Sequence, residues 1–235
     1  MNNVWCAIPV YNNAGTVVDV ATRARAQLDR VLVIDDGSTD ADLRELLKDI
    51  DVRVIRHATN RGKGEALLTA FGAIDSFGGE YAITLDGDGQ HFPEDVPRFF
   101  PLLAPDTLLL GRRDEVTGVM PHSSRFGRRF SDFWIWLETF KTVRDSQSGF
   151  RAYPVRPVLA MRFWSKHYNL EVEVLTRALW GGLTVESVPI RVWYPEAAER
   201  VSSFKPLKDN LRISRLHVRL LLRRLLPVPH RKLAR

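Results

Sequence analysis

A chain of 235 residues with 45% hydrophobic content is long enough for one sizeable α/β core and short for two full domains. Its only cysteine, Cys6, lies in an apolar run and excludes an intrachain disulfide. The net charge of +6 is unevenly spread: residues 200–235 carry eleven Lys plus Arg against one acid, Asp209, which leaves 23 bases against 27 acids in residues 1–199. An acidic body with a basic tail points to an anionic surface met by one end only. The N-terminus lacks a basic region followed by an apolar stretch, and no run reaches the roughly 18 apolar residues of a membrane span. The expectation is a cytoplasmic protein that neither enters the secretory route nor crosses a membrane.

In chain order, Val4 to Val10 reads as a buried strand, and Tyr11-Asn12-Asn13 leads into a helix over Thr16 to Leu28. Val31 to Ile34 is a second strand, turned by Asp35-Asp36-Gly37-Ser38-Thr39-Asp40 into a helix over Ala41 to Lys48. Val52 to Arg56 is a third, and Asn60-Arg61-Gly62-Lys63-Gly64 opens a helix over Glu65 to Ser76. Ala82 to Leu85 is a fourth, followed by a helix from Pro93 to Leu103 and a strand from Thr107 to Leu110. Residues 114 to 124 lack periodicity and read as a loop. Phe126 to Phe140 carries an aromatic stripe at helical spacing, Tyr168 opens a helix stopped at Gly181-Gly182, and Thr184 to Trp193 is a strand that Pro189 forces to a bulge or an edge. Continuous apolar strands alternating with helices predict a mostly parallel sheet covered on both faces, a three-layer α/β/α Rossmann-like fold. Ligands of such sheets sit at the carboxyl ends of the strands.

One of those ends is Asp86-Gly87-Asp88-Gly89-Gln90-His91. Two carboxylates two residues apart on a glycine-rich turn offer hard oxygen ligands for Mg²⁺ or Mn²⁺, with a solvated Asp-Gly turn as the alternative. An EF-hand is excluded, since its sixth and twelfth positions would be His91 and Pro97. No Gly-x-Gly-x-x-Gly follows the first strand, Gly62-Lys63-Gly64 lacks the rest of a P-loop, and Ser148 lacks the glycine of a nucleophile elbow. What remains is metal-assisted handling of a diphosphate.

Taken together, Ala7-Ile8-Pro9-Val10-Tyr11-Asn12, the Asp35 to Asp40 and Asn60 to Gly64 loops, the Asp86 turn and Gln147-Ser148-Gly149-Phe150-Arg151 resemble the family 2 glycosyltransferases of the GT-A fold, in particular the dolichyl- and polyprenyl-phosphate sugar synthases. The resemblance runs over about residues 4 to 205. It implies that Pro9 and Tyr11 line the base, Asp36 bonds the base or ribose with Lys63 close by, Asp86 faces the ribose or sugar, Asp88 ligates the metal and Gln90 lies beside it. Arg151, with Arg112 or Arg113, is aimed at phosphates. Arg200 and Lys205 are phosphate contacts in a segment similar to one that closes over the phosphates, although Ser203 and Phe204 depart from that pattern.

Transfer to a hydroxyl needs a general base, for which Asp145 and Glu171 are the candidates, whereas a lipid phosphate needs none and leaves both as orienting groups. From Lys208 to Arg223 basic residues recur every three or four positions among leucines, a helix suited to an anionic bilayer surface; packing on the body is the alternative, and nucleic acid is disfavoured. The expected organisation is a catalytic domain over 1–204, its nucleotide half about 1–112 and its acceptor half 113–204, then a basic amphipathic extension over 205–235. The expected function is metal-dependent, inverting transfer from a UDP- or GDP-linked sugar to a lipid-linked or membrane-associated acceptor. A nucleotidyltransferase or a silent nucleotide-sugar-binding module are the rivals.

Overall fold

The computed structural model describes residues 3–118, 122–194, 206–226 and 232–233, and of 122–126 and 206–208 the backbone alone. The apolar runs become β1 (Val4–Val10), β2 (Val31–Asp35) and β4 (Tyr81–Thr84), buried on both faces. With β3 (Arg53–Arg56), β5 (Thr107–Gly118), β6 (Arg151–Pro154) and β7 (Thr184–Tyr194) they form one sheet in the order β3-β2-β1-β4-β6-β5-β7. Only β6 runs antiparallel to its neighbours, β4 and β5.

Alternate residues of each strand face opposite layers. Cys6, Ile8 and Val10 of β1 pack with α1 (Ala14–Arg25) and a 3-10 segment, Pro93–Leu102, while Trp5 and Ala7 pack with α3 (Lys63–Ser76). That second layer also holds α4 (His122–Thr139), α5 (Val155–Leu159), α6 (Asn169–Trp180) and α7 (Pro206–Leu225). A short α2 (Leu43–Leu46), N-capped by Asp42, completes the set.

Two expectations change. Pro97 and Pro101 bar a regular α-helix after Phe92, so that stretch is 3-10. Residues 114–118, expected as loop, continue β5, because Glu115 to Gly118 pair with Arg191 to Tyr194 of a strand more than seventy residues away. Pro189 sits on β7 at the sheet edge, one of the two places expected for it, and the irregularity in the pairing falls in β5 between Arg113 and Glu115. The apolar residues that flank the basic stripe of the terminal helix divide between two sides. Leu216 and Leu220 are buried against the body, His217 Nδ1 lies 2.6 Å from the buried Glu138 carboxylate, and Thr176 donates to the other Glu138 oxygen at 2.9 Å. Leu211, Val218, Leu222 and Leu225 point away from it. The boundary expected at 204/205 lies outside the described residues, as do Arg200 and Lys205.

Candidate active site

The loops after β1, β2 and β4, the N-terminus of α3 and the loop ahead of β6 converge at the carboxyl edge of the parallel strands. Hydrogen bonds tie them together. The amide of Asn12, next to Tyr11 and Pro9 at the end of β1, donates to Ser38 Oγ, and the Asn12 side chain accepts from the Thr39 amide at 2.8 Å. Asp36 is buried and fully engaged: its oxygens accept the amides of Arg61 (2.9 Å) and Gly62 (2.7 Å), with His57 Nδ1 at 2.7 Å. Asp36 therefore sets the loop that launches α3. Gly62, at φ +98°, lies so close to His167 that a β-carbon would meet its ring at 2.0 Å.

At the start of α3, Lys63 Nζ bridges two carboxylates, Asp86 Oδ1 at 2.6 Å and Glu171 Oε2 at 3.0 Å. Burial alone would lower its pKa, but Asp86 and Glu171 outweigh burial and hold the ammonium above its ordinary value. Burial would likewise raise Asp86, and Lys63 overrides it and keeps that carboxyl low. Asp86 is backed by Gly149, where a β-carbon would stand 2.4 Å from Asp86 Oδ2. Thr84 donates to the Gly149 carbonyl at 2.7 Å and fixes that approach.

The acceptor-side loop is built by Arg151. Its guanidinium, expected to face phosphate, is fully buried and donates to the carbonyls of Ser148, Ser146 and Glu171, each at 2.7 Å. It holds Glu171 and the 146–148 turn in place and presents nothing to a ligand. Arg112 is half-buried, and its guanidinium pairs with Asp114 at 2.6 to 2.8 Å. Arg113, on the opposite face of β5, points inward and grips Asp145 through its amide and guanidinium at 2.5 to 2.9 Å, with Arg128 3.5 Å away. Asp145 has φ +62° and is held there by Asp132, whose carboxylate accepts the amides of Asp145 and Ser146. Burial would raise the Asp145 pKa, yet Arg113 brings it below the ordinary value, which makes Asp145 a weak base.

Residues 5–159 match the family model described as glycosyl transferase family 2. The chain belongs to that family. It is 27% identical over 218 residues to the UDP-N-acetylglucosamine–dolichyl-phosphate N-acetylglucosaminyltransferase of Methanococcus voltae, covering 82% of this chain and 86% of that protein. To the undecaprenyl-phosphate mannosyltransferase of Micrococcus luteus it is 28% identical over 200 residues, with 80% and 82% covered. Among solved structures, the glucosyl-3-phosphoglycerate synthase of Mycobacterium tuberculosis, in complex with Mn²⁺, UDP-glucose and phosphoglyceric acid, superposes with TM-score 0.70 at 21% identity over 95% of this chain and 79% of that one. The fold is therefore GT-A, as the resemblance of the loops implied.

In this glycosyltransferase Asp88 makes no salt bridge among the described residues, and its Oδ1 accepts the Gln90 amide at 3.0 Å. Burial, and then the Asp86 carboxylate beside it, push Asp88 up to about 6. A carboxylate kept at such cost suits a cation. No trio of His, Cys, Asp or Glu converges as a cage among the described residues, so a divalent ion would be held by Asp88 with substrate phosphates completing its shell, a habit of Mg²⁺ and Mn²⁺. Sequence reasoning passed over His91: its ring is buried against Phe150, its Nδ1 has no hydrogen-bond partner among the described residues, and burial drives its pKa down to about 4. It also passed over Asp132, Arg128 and Thr84. His91 stands inside the quoted turn and was open to notice, whereas nothing local marks a residue 13 positions before the loop it caps.

Proposed function

We propose that this transferase moves a sugar from a UDP- or GDP-linked donor onto a polyprenyl phosphate, with inversion at the anomeric carbon. The observation that carries this reading is that each candidate base is paired with a cation: Asp145 is gripped by Arg113, and Glu171 Oε2 is paired with Lys63. A hydroxyl acceptor would need one of them to take a proton. A lipid phosphate is already ionised at neutral pH and attacks unaided. Its oxygen forms a bond to the anomeric carbon as the bond to the β-phosphate breaks, and the negative charge passes to the departing nucleoside diphosphate with no proton transferred. The named relatives that act on dolichyl and undecaprenyl phosphates support the acceptor class.

In this reading Pro9 and Tyr11 wall the base, Lys63 holds Asp86 against the donor sugar, and Gln90 stands beside the metal ligand Asp88. A bound Mg²⁺ or Mn²⁺ would neutralise charge on the leaving diphosphate. Residues 1–112 bind donor, 113–204 bind acceptor, and the basic 205–235 extension meets an anionic membrane surface from the cytoplasmic side. No helix among the described residues is long and apolar enough to cross a membrane.

The reaction is tested with radiolabelled donor, Mn²⁺ and polyprenyl phosphate. Release of a nucleoside diphosphate with lipid-phosphate sugar as product is expected; pyrophosphate release would identify a nucleotidyltransferase, and no turnover a silent binding module. Asp88→Ala should abolish Mn²⁺-dependent donor binding in calorimetry, and undiminished binding would sink the metal assignment.

A further inference from the structure

We propose that the exposed aromatic ridge of α4 and the outer apolar line of α7 form a single lipid-inserting face that seats the protein on an anionic bilayer, acceptor half down. On α4 the inner positions Ser131, Ile135 and Glu138 are buried, while Phe130, Phe133 and Trp136 stand on the other side and Phe140 follows just past the helix end; Phe133 is 51% and Phe140 64% exposed. Their rings touch in sequence, Phe133 to Trp136 at 6.0 Å and Trp136 to Phe140 at 6.1 Å. So many aromatic rings on one solvent-facing arc mark an interaction surface.

The second half comes from α7. Leu211, Val218, Leu222 and Leu225 fall within about 60° of one another at 100° per residue, and Leu222 is 58% exposed. Contacts along their length join the helices: His217 Nδ1 lies 2.6 Å from Glu138, Trp134 stacks on His217 at 5.3 Å, and the Arg224 guanidinium lies 3.6 Å from the centre of the Phe140 ring. The ridge and the line therefore belong to one rigid surface.

Charge selects the occupant. Arg215, Arg219 and Arg223 run along one flank of the α7 line, and exposed Arg129 lies on the α4 arc. The acids are withdrawn: Glu138 is buried on His217, Asp132 caps the Asp145 loop, and Asp209 is buried against Arg212. Aromatic rings and leucines rimmed by arginine, with no acid among them, complement the headgroup region of an anionic bilayer. Placement agrees with purpose, a link that rests on the lipid-phosphate reading. Arg128, one turn before the ridge proper, reaches Asp145 in the candidate site, so the ridge runs from the site outward for about 15 Å over ten residues. A lipid whose phosphate enters the site can keep its chain in the bilayer.

The test uses the full chain and vesicles of phosphatidylcholine with or without phosphatidylglycerol. Sedimentation should require phosphatidylglycerol, and Phe133→Glu/Trp136→Glu and Leu222→Glu should each lower the partition coefficient about tenfold or more. Both sites are solvent-facing, so circular dichroism should match the wild type; as a measurement that needs no charged variant, brominated lipid should quench the wild-type tryptophan fluorescence more than that of Trp136→Phe. Equal partition of folded variants, or equal quenching, overturns the proposal. So does a dimer in sedimentation velocity that the ridge variants dissociate, for then a second copy covers the face. Vesicle binding without sugar transfer would refute the proposed function and leave the lipid-inserting face standing.

Discussion

A single methyl group at position 149 probes how tightly Asp86 is placed. Gly149→Ala sets a carbon 2.4 Å from Asp86 Oδ2, closer than contact allows, so the carboxylate must shift from its place on Lys63. We expect kcat/KM to fall at least tenfold, about 1.4 kcal/mol, and steady-state kinetics with a saturating acceptor would show it. Activity within twofold of wild type would mean that Asp86 is not held for catalysis. Asp88 sets the pH response. Because burial and Asp86 raise it to about 6, protons compete with metal below that value and not above it. Mn²⁺ affinity, read by electron paramagnetic resonance, should be level above about pH 7 and fall toward tenfold per pH unit below 6. A level profile down to pH 5 would exclude Asp88 as the ligand. Arg151 shows the limit of reading residues singly: the family-like motif locates it, but its neighbours decide that its fork binds three carbonyls.

At the scale of the element, α7 is the informative case. Its basic and apolar spacing is plain in the sequence, yet spacing cannot tell which leucines face the body. The structure buries Leu220 and exposes Leu222. Leu220→Ala should cost about 2–5 kcal/mol of stability by leaving a cavity between α7 and its neighbours, whereas Leu222→Ala should cost under about 0.5 kcal/mol. Calorimetric unfolding of the two variants decides this, and equal costs would place the helix differently. The β5 extension teaches the same lesson for strands, since residues 114–118 become a strand through partners supplied by β7.

For the whole molecule, α7 is part of the core layer and not an appendage. A chain ending at Lys208 would uncover Ile135, Glu138 and Thr176. Such a truncation should lower the melting temperature by several degrees and promote aggregation, which differential scanning calorimetry and light scattering would register. Loss of vesicle binding by the truncated chain would then report misfolding as much as a lost anchor, which is why the charged surface variants are the cleaner probe. The sequence by itself determined the α/β alternation, the glycine-rich Asp86 turn, the five family-like loops and the basic tail, because each is written in residues adjacent along the chain. Only the tertiary structure decided that Lys63 joins Asp86 to Glu171, that Asp145 is neutralised by Arg113, that Arg151 is spent on backbone carbonyls, and which face of α7 meets solvent. The pairs Lys63–Asp86, Lys63–Glu171, Arg113–Asp145 and Arg151–Glu171 link residues 20 to more than 100 positions apart, and no local pattern carries them.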